Sequence, residues 1–102
     1  MKAVKVQYKT TQEFAEANKA NISKVMAELR EINIAGIKYS VFISDDGLSF
    51  MHFAMFRNDD DQKKLNELGS FKQFAAELKA SGPVEPPKPE TVNLVNSSYD
   101  IF

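Results

Sequence analysis

The sequence contains one histidine, His52, and it is the side chain best suited to acid–base chemistry. An imidazole titrates near neutral pH, so His52 could act as a general base or carry a proton. Together with Tyr39, Phe42, Phe50 and Phe56 it could line a pocket for an apolar or aromatic ligand, whose hydroxyl His52 or Tyr39 would orient. The simpler alternative is a structural histidine, bonded to a nearby backbone group or across a dimer interface.

Other familiar chemistries lack the residues that they require. A zinc site needs several imidazole or thiolate ligands, and the chain has one histidine and no cysteine. Asp59, Asp60 and Asp61 follow one another at a predicted helix start, where they point in different directions and favour the helix dipole. The glycines are isolated, without a phosphate-binding pattern, and no serine stands in a nucleophile elbow. We therefore predict no metal and no cofactor.

Composition sets the broad class of protein. The 102 residues, 43% hydrophobic and 26% charged, are enough for one packed domain over residues 1–102. The net charge of −1, with lysines spread along the chain, does not indicate a nucleic-acid partner. No segment approaches the roughly 20 apolar residues of a membrane span. With no cysteine and an alternating N-terminal segment, we expect a cytoplasmic protein.

The first elements are a strand and a long helix. Val4, Val6 and Tyr8 alternate with polar residues, which is typical of a strand with one buried face. Thr10 and Glu13 have the spacing of a capping box and predict a helix start. The helix should run to about Ile32, beyond which Gly36 could close it.

Residues 37–44 and 49–56 predict a β-hairpin around Asp45, Asp46 and Gly47. A three-residue loop would pair residues whose numbers sum to 92. One face would then be apolar, and the other would carry Lys38, Ser40, Phe42, Phe50, His52, Ala54 and Phe56. A two-residue turn would instead pair His52 with Val41 and move it to the helix side.

The second half of the chain predicts a helix in two pieces and a last strand. Gly69 interrupts the helix, and Ser70 with Gln73 offers a second capping box. The prolines of residues 83–89 indicate an extended connector, and alternation from Glu90 indicates a strand. The order β-α-β-β-α-β predicts an α+β fold, a ferredoxin-like sandwich with an antiparallel sheet and both helices on one face.

Short motifs along almost the whole chain resemble a known superfamily. They are Ala15-Glu16-Ala17-Asn18, Gly36-Ile37-Lys38-Tyr39, Asp46-Gly47, Phe50 with His52, Phe71 with Phe74, Glu85-Pro86-Pro87, and the closing Val95 to Tyr99. With these motifs the chain resembles the dimeric α+β barrel proteins that include the antibiotic-biosynthesis monooxygenases, and most closely an uncharacterised subgroup of them. The resemblance implies a ferredoxin-like monomer that pairs with a second copy through the sheets, and a ligand pocket lined by sheet and helix, but it does not imply a known reaction. The density of aromatic residues together with this likeness motivates the hypothesis of a small-molecule-binding, oxygenase-like protein.

The sequence departs from the oxygenase members of that superfamily at two points. Those members often use a tryptophan and a histidine on the second helix, whereas this chain has no tryptophan and carries Leu65, Asn66 and Leu68 there. A haem-degrading role is therefore not expected.

The sheet face without helices should carry three phenylalanines, Phe42, Phe50 and Phe56, and a second copy of the chain could cover them. The alternative to a ligand-binding protein is a non-catalytic dimerisation or regulatory domain that uses this face only to pair.

Overall fold

The computed structural model describes residues 1–102. Strands and helices follow one another as β1 (Lys2–Lys9), α1 (Ala15–Ile32), β2 (Ile37–Ile43), β3 (Ser49–Phe56), α2 (Asp59–Glu67), α3 (Gly69–Ala80) and β4 (Glu85–Val92). The four strands form one sheet in the order β2-β3-β1-β4, and each neighbouring pair is antiparallel. The predicted α+β, ferredoxin-like order is confirmed.

One face of the sheet packs on the helices and forms the core. Alternate residues of β1 and β3 point to that side because side chains alternate along a strand. Tyr8, Phe50 and Phe56 are the largest of these, and they meet Val25 of α1 and Phe74 of α3. None of the helices is both long and apolar enough to cross a membrane.

The β2–β3 hairpin differs by one residue from the predicted register. The N–H of Ser44 donates to the carbonyl of Ser49 at 2.9 Å, so the loop has four residues, 45–48, with Gly47 at φ 72°. The Asp46 carboxylate accepts from the N–H groups of Leu48 and Ser49, each at 2.8 Å, which fixes the extra residue in the loop. The three-residue loop was therefore wrong.

The shifted register turns β3 over relative to β2, so the residues of β3 change face and those of β2 do not. His52 pairs with Val41, and Tyr39 pairs with Ala54, as the alternative turn required. Phe50 and Phe56 lie in the core at 2% and 1% exposure, so they are absent from the uncovered face. Phe42 remains on that face at 56% exposure, where it meets Phe53 instead.

The start and end of α1 are not the predicted ones. Thr10 is fully buried and directs its N–H and hydroxyl to the carbonyl of Leu48, so it cannot cap the helix. Phe14 holds the N-cap position without a side-chain hydrogen bond. Asn33, at φ 50°, closes the helix by donating its N–H to the carbonyl of Leu29.

Gly36 does not close the helix. It leaves room for the Asp61 carboxylate, which occupies the space that a Cβ would fill at this position.

The second helix is divided as predicted. Asn58 caps α2 by accepting from the N–H of Asp61 at 3.0 Å, and extended backbone at Leu68 separates α2 from α3. The predicted capping box of Ser70 does not form. Its hydroxyl instead donates to the Glu28 carboxylate of α1 at 2.5 Å, which links α3 to α1.

The proline segment belongs to the sheet, which corrects its assignment as a connector. β4 pairs with β1 from Ala3 opposite Val92 to Lys9 opposite Glu85, with an irregularity between Gln7 and Lys9. Because β4 lies at the sheet edge, proline can be tolerated where a missing N–H would face away from the neighbouring strand.

Candidate ligand site

A cavity of about 430 Å³ lies between the sheet and α3. Its α3 wall comes from residues spaced three and four apart, which therefore share one helical face. Strands β1, β2 and β3 supply polar and aromatic groups opposite, and β4 closes one side. The lining residues are Val6, Tyr8, Tyr39, His52, Phe71, Phe74, Ala75, Leu78, Lys79, Pro83, Pro86 and Pro87.

His52 joins two tyrosines across the floor of this cavity. Its Nε2 lies 2.7 Å from the hydroxyl of Tyr8, and its Nδ1 lies 2.6 Å from the hydroxyl of Tyr39. The amide Nδ2 of Asn18, from α1, donates to the Tyr8 hydroxyl at 2.8 Å. The result is a chain of four hydrogen-bonded side chains that begins inside the core and ends at Tyr39.

The imidazole and the two phenols of this hydrogen-bonded chain are all neutral at pH 7. Burial lowers the pKa of His52 to about 4, because the charged imidazolium would lose its hydration. Burial is also the main cause that raises the pKa of both Tyr8 and Tyr39 above the ordinary value for a phenol. A neutral imidazole has one N–H donor and one acceptor nitrogen, so the chain must have a direction.

The orientation of Asn18 sets that direction. The amide nitrogen of Asn18 can only donate, so the Tyr8 hydroxyl must place its own proton on the remaining neighbour, Nε2 of His52. Nε2 is then the acceptor, and the imidazole proton lies on Nδ1, from which it donates to Tyr39. The hydroxyl proton of Tyr39 has no acceptor among the four hydrogen-bonded side chains. It is free to donate to a molecule in the cavity.

Asn18 also carries an unsatisfied group. The residue is 0% exposed, and its Oδ1 has no hydrogen-bond partner. If the amide turned over, Oδ1 would accept from Tyr8, and the whole chain would run the other way. Sequence reasoning missed Asn18 as a site residue. The signal was available, because an asparagine interrupts the buried stripe of α1 that includes Ala15 and Val25.

The structure brings together only part of the predicted pocket. Tyr39 and His52 line the cavity side by side. Phe50 stacks on the Tyr8 ring at 5.4 Å and supports the site from behind, and Phe56 is buried without lining the cavity. Phe42 lies on the opposite face of the sheet, because the register is shifted by one residue, so its assignment to the pocket was wrong.

A wider, more open groove of about 770 Å³ runs between α1 and β2. It shares Tyr39 with the cavity but does not include His52. Its lining mixes apolar residues with two cations, Arg30 and Lys38, and holds no group with acid–base function near neutral pH. We therefore place the candidate site in the smaller cavity.

Solved structures with the same arrangement of strands and helices include an oxygenase and several candidate antibiotic biosynthesis monooxygenases. SnoaB, a cofactor-independent oxygenase from Streptomyces nogalater, superposes with a TM-score of 0.70 at 12% identity over 97% of this chain and 98% of its own. The chain has the fold of the antibiotic-biosynthesis monooxygenases. This confirms at the level of fold the resemblance seen in the sequence.

Two further structures agree over nearly the whole chain. A candidate antibiotic biosynthesis monooxygenase from Bacteroides thetaiotaomicron reaches a TM-score of 0.83 at 8% identity, covering 97% of this chain and 93% of that one. A candidate from Nitrosomonas europaea gives 0.79 at 17% identity, with 94% and 100% covered. No family model and no curated protein matches the sequence.

Proposed function

We propose that the protein binds a small aromatic ligand that carries a hydroxyl or carbonyl oxygen, and that it supports oxygenase-like chemistry on that ligand without a cofactor. The observation that carries the proposal is the Tyr39 hydroxyl at an apolar cavity, 2.6 Å from Nδ1 of His52. With the tautomer deduced above, the proton of this hydroxyl is free to donate to a ligand. The fold shared with a cofactor-independent oxygenase supports the choice of chemistry.

The cavity walls suit a flat ring. Phe71 and Phe74 lie with ring centroids 5.8 Å apart, and Phe74 lies 5.3 Å from the His52 ring. Aromatic ligands gain from such surroundings through buried area and offset stacking. A volume of about 430 Å³ falls within the usual range for small-molecule sites.

Each polar residue then has a defined task. Tyr39 donates to the ligand oxygen, and because its hydroxyl is already held in place by His52, it stabilises the ligand anion that forms when the ligand loses its proton to solvent. His52 strengthens this donor by giving its own N–H to the Tyr39 oxygen. Tyr8, which also lines the cavity, and Asn18 hold the imidazole in one tautomer. Dioxygen would be the oxidant.

Calorimetric titration with 2-naphthol and with naphthalene tests the binding. We expect the hydroxyl compound to bind more tightly to the unmodified protein, and Tyr39→Phe to remove this difference. Replacement of a hydrogen-bonding group of this kind typically costs about 0.5–1.5 kcal/mol, or up to roughly tenfold in affinity. Absence of thermal stabilisation by any phenol, quinol or haem would count against a ligand site altogether.

A second role, as a homodimerisation domain, is favoured by a separate observation. Phe42 and Phe53 form an edge-to-face pair at 5.9 Å on the sheet face without helices, with 56% and 37% of their surfaces exposed. An exposed aromatic pair of this kind is typical of an interface. We propose that two copies pair through these faces as a dimeric barrel. Oxygen consumption lost in His52→Ala with the dimer intact would favour the enzyme, whereas loss of the dimer alone would favour a structural role.

A further inference from the structure

The ligand cavity has one cationic lining residue, Lys79 in the last turn of α3. No carboxylate lies within ion-pair distance of its ammonium group, since the ion pairs of the chain involve Lys19 and Lys64. The nearby Glu77 is engaged elsewhere, accepting from the Asn21 amide of α1 at 3.1 Å. Lys79 is therefore an unpaired cation beside an apolar cavity.

Lys79 and Tyr39 stand at opposite sides of that cavity. Tyr39 belongs to β2, one edge of the sheet, and the lining prolines Pro86 and Pro87 belong to β4, the other edge. Three strand spacings, about 14 Å, separate these edges. Lys79 lies at the β4 side, because α3 ends at Ala80 and the chain enters β4 five residues later, at Glu85.

Lys79 is also displaced along α3 from the residues that contact His52. Phe74, which packs on His52, is five residues before Lys79, and this places the cation about 7.5 Å farther along the helix axis. Between the two ends the α3 wall consists of Ala75 and Leu78, which offer only apolar surface. A ligand that satisfies both ends must be elongated, with an apolar middle.

We propose that the ligand is an elongated aromatic molecule with an anionic group, such as a carboxylate, at the end away from its hydroxyl or carbonyl oxygen, and that Lys79 selects for this anion. The inference rests on the proposed function of the same cavity, and it adds the charge and the length of the ligand. Lys79 is solvent-exposed at the rim of the cavity, so its attraction for the anion is partly screened by water and decreases with salt.

Paired ligands test the inference. 2-Naphthol and 6-hydroxy-2-naphthoate share the ring and the hydroxyl and differ in the carboxylate. We expect the unmodified protein to bind the acid about two- to fivefold more tightly, as for a solvent-exposed ion pair, and this preference to shrink at high salt. Lys79→Met should abolish the preference, whereas Lys72→Met, an exposed lysine of α3 outside the cavity, should keep it.

The outcomes separate the two proposals. Binding of 2-naphthol without any preference for the acid would overturn the role of Lys79 and leave the proposed function standing. The same preference in Lys79→Met as in the unmodified protein would also overturn it. Failure of both ligands to bind would overturn the proposed function and this inference together.

Discussion

The hydroxyl of Tyr39 lies 2.6 Å from Nδ1 of His52. Through this contact, the orientation of the buried Asn18 amide determines whether the Tyr39 hydroxyl donates or accepts at the cavity. Two hydrogen-bond partners hold the imidazole, so its tautomer follows from its neighbours. A single buried polar chain thereby controls whether the cavity meets a donor or an acceptor.

Asn18→Asp should reverse the direction of this chain. A carboxylate at position 18 accepts from the Tyr8 hydroxyl, so His52 would have to donate from Nε2 and accept from Tyr39 at Nδ1. Nitrogen-15 NMR of histidine-labelled protein reports the tautomer without assignment, because the chain has one histidine. We expect the Nδ1–H form in the unmodified protein and the Nε2–H form in the variant. An Nε2–H form in both would contradict the deduced direction.

Tyr8→Phe should destabilise the protein by about 1–3 kcal/mol, because it leaves the Asn18 amide and the acceptor nitrogen of His52 without a partner in the core. The free energy of unfolding from urea titrations measures the loss. Tyr99→Phe is the matched control, since that side chain is 67% exposed and should change stability little. Equal effects of the two substitutions would show that the buried chain contributes nothing to stability.

His52 should make the protein less stable as the pH falls from about 6.5 to about 4. Its pKa is lowered to about 4 by burial, so over this range the unfolded chain binds a proton that the folded chain does not. The contribution of His52 to the free energy of unfolding is complete above pH 6.5 and decreases by about 3 kcal/mol as the pH falls to about 4. His52→Gln should lose this part of the pH dependence. Parallel urea titrations at pH 7 and pH 4.5 measure it.

The unmodified protein must be compared with His52→Gln because other groups also titrate in acid. Hydrogen bonds, first that from the Ser49 hydroxyl, lower the pKa of Asp46 to about 2, and the Asn21 amide lowers that of Glu77. The stability that these two carboxylates contribute is lost at lower pH, and the loss is the same in the unmodified protein and in His52→Gln. An identical pH profile in His52→Gln would contradict the assignment to His52.

Phe42→Lys should convert the proposed dimer to a monomer without unfolding it. The side chain is exposed in the single chain, so lysine is harmless there, but at an interface it would bury an unpaired charge. Light scattering at tens of micromolar measures the mass. Val84→Lys, which changes another exposed apolar residue away from the sheet face, should remain dimeric. A monomeric unmodified protein would contradict the dimer.

Phe50→Lys distinguishes the observed register from the predicted one. With the three-residue loop, Phe50 would lie beside Phe42, and both substitutions would act on the dimer alone. In the structure Phe50 is 2% exposed and stacks on Tyr8, so a lysine there should unfold the protein. Circular dichroism separates the two results, since only loss of the fold removes the helical signal.

Much of the fold could be read from the sequence, because alternation and helical spacing depend on neighbouring residues. The strand around Val6, the two-piece second helix and the order of elements follow from such patterns. The register of the hairpin did not, because it depends on one residue more in the loop, which the Asp46 carboxylate holds in place. That single residue moved His52 and Phe50 to the helix side and left Phe42 on the other face.

The site was less predictable for a related reason. His52 and Tyr39 stand out by residue type, and their contact depends on the register. Tyr8, 44 positions before His52, joins them through the pairing of β1 with β3, and Asn18 joins them through the packing of α1 on the sheet. Thr10 looked like a cap in the sequence, whereas tertiary packing gave its hydroxyl a partner in a distant loop. The homodimer, the ligand and the cytoplasmic location remain predictions.

The three prolines of β4 affect how copies of this protein can aggregate. An exposed strand recruits further chains through its free N–H groups, and Pro86, Pro87 and Pro89 have none to offer. Backbone pairing between molecules is therefore directed to β2, at the opposite side of the sheet. Two copies joined at β2 would present only proline-rich strands outward, so such growth would end at a pair instead of continuing as a fibre.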